Sequence, residues 1–192
     1  MNLQEKIDFF SSEIPKDITV SRYEHSIRVA KISAKLARVH GLDPNAAYLA
    51  GILHDTTKQK TRIFHIEIFM RHGFSFEDIP EEAYHPFSAF YYLQERYDFT
   101  EMNILSAVKN HTLGGDNLPI LDRILCVADF LGSDYAARNP NYGEWMEKTY
   151  IDLNYGIALK SSNTICDLAS KFRSIHPNTI RMYESAIRNT SI

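Results

Sequence analysis

Helix-type periodicity constrains this chain more than any other feature of its sequence. Apolar residues recur three or four positions apart, whereas the apolar and polar alternation of a half-buried strand is almost absent. Residues 2–13 show the pattern through Ile7 and Phe10, and residues 21–40 show it up to Gly41, a typical helix stop. The sequence therefore predicts an all-α fold.

Capping residues indicate where helices start and stop. Asp43 followed by Pro44 is a strong start signal, because aspartate caps the first backbone amides and proline fits the first helical position. Pro86 starts another helix in the same way, which puts His85 just before that start. The remaining helices are expected at 62–72 with Gly73 as the stop, at 100–112 with Thr100 as the cap, at 119–134, near 144–172 and at 177–190.

Length and composition indicate one domain, 1–192. The 192 residues are 44% hydrophobic and 23% charged, which are ordinary values for a globular chain. No low-complexity tract and no linker rich in proline and glycine interrupts the helical pattern. We therefore expect a single hydrophobic core.

Composition also disfavours several classes of partner. A formal net charge of -3 offers no basic field for a nucleic-acid backbone, although local charge could still bind a small anion. No apolar run is long enough for a membrane span, and the beginning MNLQEKIDFF lacks the basic and apolar segments of a secretory signal. Cys126 and Cys166 are isolated, which is typical of reduced thiols in a cytoplasmic protein. The expected location is therefore the cytoplasm, with no nucleic-acid or membrane partner.

Histidine and aspartate residues gather at helix ends and inside apolar stretches. His54 and Asp55 follow the apolar run of the third helix, and Asp129 lies within the stretch ILCVADFLG. A buried carboxylate without a partner would cost several kcal/mol or shift its pKa, so Asp129 needs a cation or hydrogen-bond donors. Four imidazoles and two carboxylates could hold two divalent ions about 3.5–4 Å apart, with one carboxylate bridging them. The six residues are His25, His54, Asp55, His85, His111 and Asp129.

Each of these residues also has an ordinary structural alternative. A histidine at a helix C-terminus can complement the helix dipole, and His85 can cap a helix. Asp129 can pair with Arg123 or Arg22. The sequence leaves such alternatives open for any single residue, but six coincidences at once are disfavoured.

Five separated segments resemble the HD-domain phosphohydrolases in order and approximate spacing. They are RYEHSIRVA (22–30), AGILHDTTK (50–58), YHPFSAF (84–90), NHTLGG (110–115) and ILDRILCVADF (120–130). The similarity covers about residues 17–135. It is to the YqeK-like branch, whose members are symmetrical diadenosine tetraphosphate hydrolases with a di-iron centre. The resemblance implies an HD-domain helical bundle over this core, with C-terminal helices at 144–190 packing on it.

The resemblance also implies roles for individual residues. The family's metal ligands fall on the six histidines and aspartates named above, with Asp55 as the bridging carboxylate. Asp55 and Lys58 are the implied catalytic residues, since the family has a lysine three positions after the aspartate of its His-Asp pair. A structural alternative for Lys58 is that it complements a helix C-terminus. The expected substrate-binding residues are Lys58, Arg22, Thr112 and Arg138.

The segment after Asp129 departs from the family pattern. YqeK-like proteins commonly continue with a Glu-Pro-x-Arg stretch near the substrate, but this chain reads FLGSDYAARNPNYGEW from Phe130. Arg138 is the available replacement for the missing arginine, and Trp145 is the available partner for a nucleobase. The other histidines fit no segment and are expected at the surface or in packing: His40, His65, His72 and His176.

The implied activity is hydrolysis of diadenosine tetraphosphate in the middle, which gives two ADP. The resemblance implies two divalent transition-metal ions, with iron preferred. Manganese and zinc are alternatives, because mixed imidazole and carboxylate ligation suits all three metals. Two other functions remain open: a phosphohydrolase of the wider HD superfamily acting on mononucleotides, and a non-catalytic nucleotide sensor. A homodimer is a further expectation.

Overall fold

The computed structural model describes residues 1–191 and confirms the all-α expectation. That part of the chain contains eleven α-helices and two short 3-10 turns, and it contains no strand. In chain order the helices are α1 (Leu3–Glu13), α2 (Val20–Val39), α3 (Pro44–Leu53), α4 (Arg62–Arg71), α5 (Tyr84–Tyr97), α6 (Met102–Asn110), α7 (Ile120–Leu131), α8 (Asp134–Ala137), α9 (Tyr142–Ile151), α10 (Leu153–Ser170) and α11 (Pro177–Asn189). The 3-10 turns are Ile14–Lys16 and Glu81–Ala83.

Side-chain caps fix the starts of α1 and α3. The Glu5 backbone amide donates to the Asn2 side chain at 3.0 Å, and the Asn2 amide donates to the Glu5 carboxylate at 2.8 Å. The two residues thus form a capping box. At α3 the Asn45 backbone amide donates to the Asp43 side chain at 2.8 Å, and Pro44 is the first residue of the helix. The helix therefore starts where the sequence predicts.

The segment expected as a helix near 144–172 contains two helices. Asp152 has an extended backbone (φ -134°, ψ 109°), and its side chain accepts from the Asn154 amide at 2.8 Å. This arrangement ends α9 and starts α10. An aspartate side chain that binds a nearby backbone amide competes with helix continuation, and apolar periodicity does not reveal such a break.

Two other helix ends differ from the expectation by a few residues. α6 begins at Met102 without a side-chain cap from Thr100, and α7 ends at Leu131 instead of reaching residue 134. Ser133 then caps the short α8 by accepting from the Ala136 amide at 3.1 Å. The serine cap explains why the helical pattern continues in the sequence while the helix itself is interrupted.

The crossing of α2 and α3 positions three of the six predicted metal ligands, His25, His54 and Asp55. At this crossing an added Cβ on Gly51 would lie 2.4 Å from the Ala30 Cα. Only a glycine permits so close an approach of two backbones. The crossing therefore brings together the two helices that lead to His25 and His54.

The C-terminal helices share the core of the preceding helices. Leu153 and Ile157 of α10, and Met182 and Ala186 of α11, belong to the same buried cluster as side chains of α2, α3 and α7. A smaller cluster lies between α4 and α5 around Phe69. Among residues 1–191, no helix combines the length and the apolarity that crossing a membrane requires.

Candidate metal centre

The six predicted metal ligands converge from five helices. His54 is the C-cap of α3 and is followed by Asp55, while His111 is the C-cap of α6. His85 lies in the first turn of α5, because this helix begins at Tyr84, two residues earlier than expected. The other two ligands are His25 in α2 and Asp129 in the last turn of α7. The four histidines and Asp55 are buried, and the Asp129 side chain is 30% exposed.

Asp55 faces two pairs of histidines with its two carboxylate oxygens. Its Oδ2 lies 3.3 Å from the Nε2 of His54 and 3.9 Å from the Nε2 of His25. Its Oδ1 lies 3.3 Å from the Nε2 of His85 and 3.9 Å from the Nε2 of His111. One carboxylate therefore separates the imidazoles into two groups, which is the arrangement that a bridging ligand needs.

Asp129 contacts histidines rather than an arginine. Its Oδ1 lies 3.0 Å from the Nε2 of His25 and 3.5 Å from the Nε2 of His54. The two arginines that the sequence offered as alternative partners bind elsewhere. Arg22 donates to the Oδ2 of Asp55 at 3.0 Å, and Arg123 donates to Asn154.

All four imidazole rings have the same orientation relative to the cluster. Each Nδ1 atom lies 2.7–3.3 Å from a backbone carbonyl oxygen, which accepts its hydrogen bond. The Nε2 atom of each ring is then the one that faces the carboxylates, as in histidines that bind metals. The carbonyls belong to Gly132 for His25, Gly51 for His54, Glu82 for His85 and Val108 for His111.

The carboxylates of Asp55 and Asp129 favour a positive charge at His54. Burial acts to lower the pKa of His54, but the carboxylates of Asp55 and Asp129 outweigh it and raise that pKa to about 10. Burial lowers the pKa of His111 to about 4. The buried Nε2 of His54 lies 3.3 Å from Asp55 and 3.5 Å from Asp129, but within residues 1–191 neither contact has the alignment of a hydrogen bond. A divalent cation would supply the charge that a proton on His54 otherwise provides.

The donor atoms of the cluster fit metal ions. Three groups of side chains each bring their ligand atoms within 4.8 Å of one another. Imidazole nitrogens and carboxylate oxygens in such a mixture suit iron, manganese or zinc better than magnesium. The groups are His25, His54 and Asp55; His54, His111 and Asp129; and Asp55, His85 and His111.

A cleft of about 680 Å³ opens over this cluster. Three of the four predicted substrate-binding residues line it, namely Arg22, Lys58 and Thr112. The fourth, Arg138, is exposed at the C-terminal end of α8 and lies outside the lining. Trp145, the predicted base partner, is buried with its ring 5.8 Å from that of Phe130 and also lies outside the lining. The segment after Asp129 therefore contributes different side chains from those expected.

Several residues that line the cleft were not predicted from the sequence. Arg28 lies one turn after His25 on α2, and Tyr135 lies on α8. Lys160 belongs to α10, beyond the segments that carry the family resemblance. Arg28 could have been predicted from the sequence, because it follows His25 by three residues and residues three apart share a helix face. Lys160 could have been recognised because it follows Ile157 by one turn and so lies on the apolar face of its helix, where a charged side chain is unusual.

The histidines without a predicted role lie in packing or surface positions. His65 is buried, and its Nδ1 lies 2.7 Å from the hydroxyl of Ser88. His72 stacks on Tyr91 at a ring distance of 4.2 Å. His40 is the C-cap of α2 and His176 is the N-cap of α11.

Comparison with known proteins gives one family and several relatives. The family described as HD domain matches residues 22–132. A protein of Halalkalibacterium halodurans named symmetrical bis(5'-nucleosyl)-tetraphosphatase is 29% identical over 88% of this chain and 91% of its own length. A Bacillus subtilis protein of the same name is 26% identical over the same shares. The structure of a predicted HD superfamily hydrolase involved in NAD metabolism from Clostridium acetobutylicum superposes with a TM-score of 0.88 at 23% identity. That alignment covers 96% of this chain and 98% of the other.

Proposed function

This chain belongs to the HD domain family, and from that membership we propose that it is a metal-dependent phosphohydrolase of dinucleoside polyphosphates. The specific reaction is the symmetrical cleavage of diadenosine tetraphosphate to two ADP. The names of relatives that align with most of the chain support this reaction. The observation that carries the proposal is the position of Asp55, whose two oxygens face two different pairs of histidines.

The proposed centre holds two divalent transition-metal ions. His25, His54 and Asp129 would hold one ion, His85 and His111 would hold the other, and Asp55 would bind both. Iron is the proposed metal, with manganese and zinc as the alternatives for this donor set. Bound ions of this kind would polarise a phosphoryl group and lower the pKa of water toward neutrality.

The surrounding side chains would orient and neutralise the phosphates. Arg22 donates to Asp55 at 3.0 Å and so holds that carboxylate in one orientation. Lys58 has its Nζ 3.3 Å from the Nδ1 of His85 and forms no ion pair with a carboxylate in the described part of the chain. Its ammonium group is therefore available to the phosphoryl oxygens, where charge is spread during phosphoryl transfer. The Thr112 hydroxyl, 3.3 Å from the Nε2 of His85, offers a further donor at the same edge.

Chromatography of the products from diadenosine tetraphosphate tests this function. We expect ADP as the only nucleotide product, because the centre must act on an inner phosphate. AMP and ATP among the first products would refute symmetrical cleavage. ATP, ADP and AMP should be offered as competing substrates, since faster hydrolysis of one of them would favour a mononucleotide phosphohydrolase. Tight binding of all nucleotides without turnover would favour the non-catalytic sensor.

Two features of the proposed protein remain predictions from the sequence. Cys126 and Cys166 are both free thiols, which supports a reducing compartment such as the cytoplasm, and cell fractionation would test that location. The homodimer would be tested by light scattering of the purified chain, where a monomeric mass would contradict it.

A further inference from the structure

Lys160 is a buried lysine in the wall of the cleft. It lies on the buried face of α10 together with Gly156, Ile157 and Ser161, and it is only 6% exposed. The residue is outside the range that matches the HD domain family, 22–132. Burying an ammonium group is costly unless acceptors or anions compensate its charge. The position of Lys160 therefore needs an explanation that packing does not supply.

The described part of the chain compensates this charge only in part. The Nζ of Lys160 donates to the backbone carbonyl of Thr112 at 2.7 Å, and within residues 1–191 no carboxylate forms an ion pair with it. An ammonium group has three donors and no acceptor. Two donors are left for whatever occupies the cleft.

Lys160 and Lys58 are linked to each other through Thr112 and His85. Thr112 connects them, since its carbonyl accepts from Lys160 and its hydroxyl lies 3.3 Å from the Nε2 of His85. The Nζ of Lys58 lies 3.3 Å from the Nδ1 of that same histidine. The contacts run from Lys160 through the carbonyl and the hydroxyl of Thr112 to His85 and from His85 to Lys58, so both ammonium groups belong to the same part of the cleft wall.

The other cations of the cleft are already paired. Arg22 binds Asp55 at 3.0 Å, and Arg28 binds Asp134 at 2.9 Å. Among the described residues that line the cleft, the two lysines are therefore the cations without a carboxylate partner. Their spare charge favours a ligand that carries more than one anionic group.

We propose that Lys160 binds a second phosphate, adjacent to the phosphate held at the metal cluster beside Lys58. This inference rests on the proposed function and deepens it, because it makes Lys160 a specificity-determining residue for chains of two or more consecutive phosphates. It also gives α10 the role that the sequence assigned to Arg138. A single phosphate reaches Lys58 and the metals without needing Lys160.

Calorimetric titration with two probes tests the inference on the full chain loaded with manganese. The probes are inorganic phosphate and methylenebisphosphonate, a diphosphate that cannot be hydrolysed. The variant is Lys160→Gln, since glutamine can still donate to the Thr112 carbonyl but carries no charge. We expect about a tenfold to hundredfold weaker binding of the bisphosphonate and a change below about threefold for phosphate. Metal content and melting temperature should be measured alongside and should match the wild type.

Two further variants separate charge from structure. Lys160→Arg keeps the charge and should bind the bisphosphonate within a few-fold of the wild type. Lys148→Gln removes a partly exposed charge on α9, which pairs with Glu144 outside the cleft, and should bind both probes like the wild type. Equal loss of both probes in Lys160→Gln, or no loss of either, would overturn the inference. If Lys160→Gln fails to fold, failure of Lys160→Arg to retain bisphosphonate binding would overturn it.

The same protein distinguishes this inference from the proposed function. Wild-type hydrolysis of diadenosine tetraphosphate tests the function, whereas the ratio between the two probes tests Lys160 without any turnover. An inactive wild-type protein with a large bisphosphonate effect would refute the substrate and keep the second phosphate site. An active protein in which Lys160→Gln leaves bisphosphonate binding unchanged would support the substrate and refute the second phosphate site.

Discussion

Asp55 shows how a single side chain can organise a site for two ions. Its Oδ2 faces His54 and His25, while its Oδ1 faces His85 and His111. The backbone carbonyls that accept from each Nδ1 hold the rings in place before any ligand arrives. Such preorganisation lowers the cost of assembling the site when a cation binds.

Lys58 provides a residue-scale test of the phosphate role. Lys58→Met should lower turnover of diadenosine tetraphosphate about tenfold to a hundredfold, because it removes a charge-assisted hydrogen bond worth about 1.5–3 kcal/mol. Metal content should stay unchanged, since the lysine is expected to contact phosphate and not metal. Steady-state kinetics and elemental analysis of the same sample would measure both effects.

The control for Lys58→Met is Lys31→Met, which removes an exposed lysine of α2 outside the cleft. It should leave turnover within about a factor of two, in the range expected of surface substitutions. Unchanged kinetics in Lys58→Met would return Lys58 to the helix-dipole interpretation. A parallel loss of metal would instead mean that Lys58 supports the cluster.

At this scale the sequence predicted the residues of the cluster better than those of the cleft. Histidines and aspartates stand out when they lie at the end of an apolar stretch or within one, and the structure brings all six together. Arg138 was chosen because it follows Asp129 closely in the chain, but proximity in sequence does not fix the direction of a side chain after a helix break. Lys160 was missed because only the packing of α10 brings it to the cleft.

At the scale of elements, the crossing of α2 and α3 sets the distance between the ligands that these helices carry. Gly51→Ala should destabilise the protein by about 1–3 kcal/mol, because the new Cβ would meet the Ala30 backbone and the helices would have to separate. It should also weaken metal binding, because separating the helices would move the Gly51 backbone carbonyl that accepts from the Nδ1 of His54. Denaturant unfolding and metal titration would measure the two effects.

Gly143→Ala is the matched control for this prediction. Gly143 also lies in a helix, but a Cβ added there would meet no atom within 4 Å. The substitution should be neutral or stabilising by up to about 1 kcal/mol, because alanine restricts the unfolded chain. Similar unfolding curves for the two variants would contradict the account of the crossing.

Helix ends that are fixed by neighbouring residues can be predicted from the sequence, whereas ends that depend on distant residues cannot. α1 and α3 have caps that can be read from neighbouring residues, and both start where expected. The break at Asp152 depends on a side chain turning back to bind a backbone amide and on a terminal residue, Ser191, donating to the same carboxylate. Long-range partners of this kind are invisible to periodicity.

At the scale of the whole molecule, we propose that residues 1–192 form one domain. Buried side chains from Ile7 to Ala186 belong to one cluster, and α10 supplies both core residues and Lys160. Heat or denaturant should therefore unfold the chain in one cooperative transition. Circular dichroism and the fluorescence of Trp145 should give the same midpoint. Two separate transitions would mean that the C-terminal helices are an independent unit.

The metal content of the purified protein decides whether the histidine and aspartate cluster is a dinuclear metal centre. Elemental analysis after purification without chelators should find about two transition-metal ions per chain. Asp55→Ala should lose one or both ions together with activity, because the bridging carboxylate serves both. A wild-type protein that binds no metal even after reconstitution, or an Asp55→Ala variant with full metal content and wild-type turnover, would contradict the account.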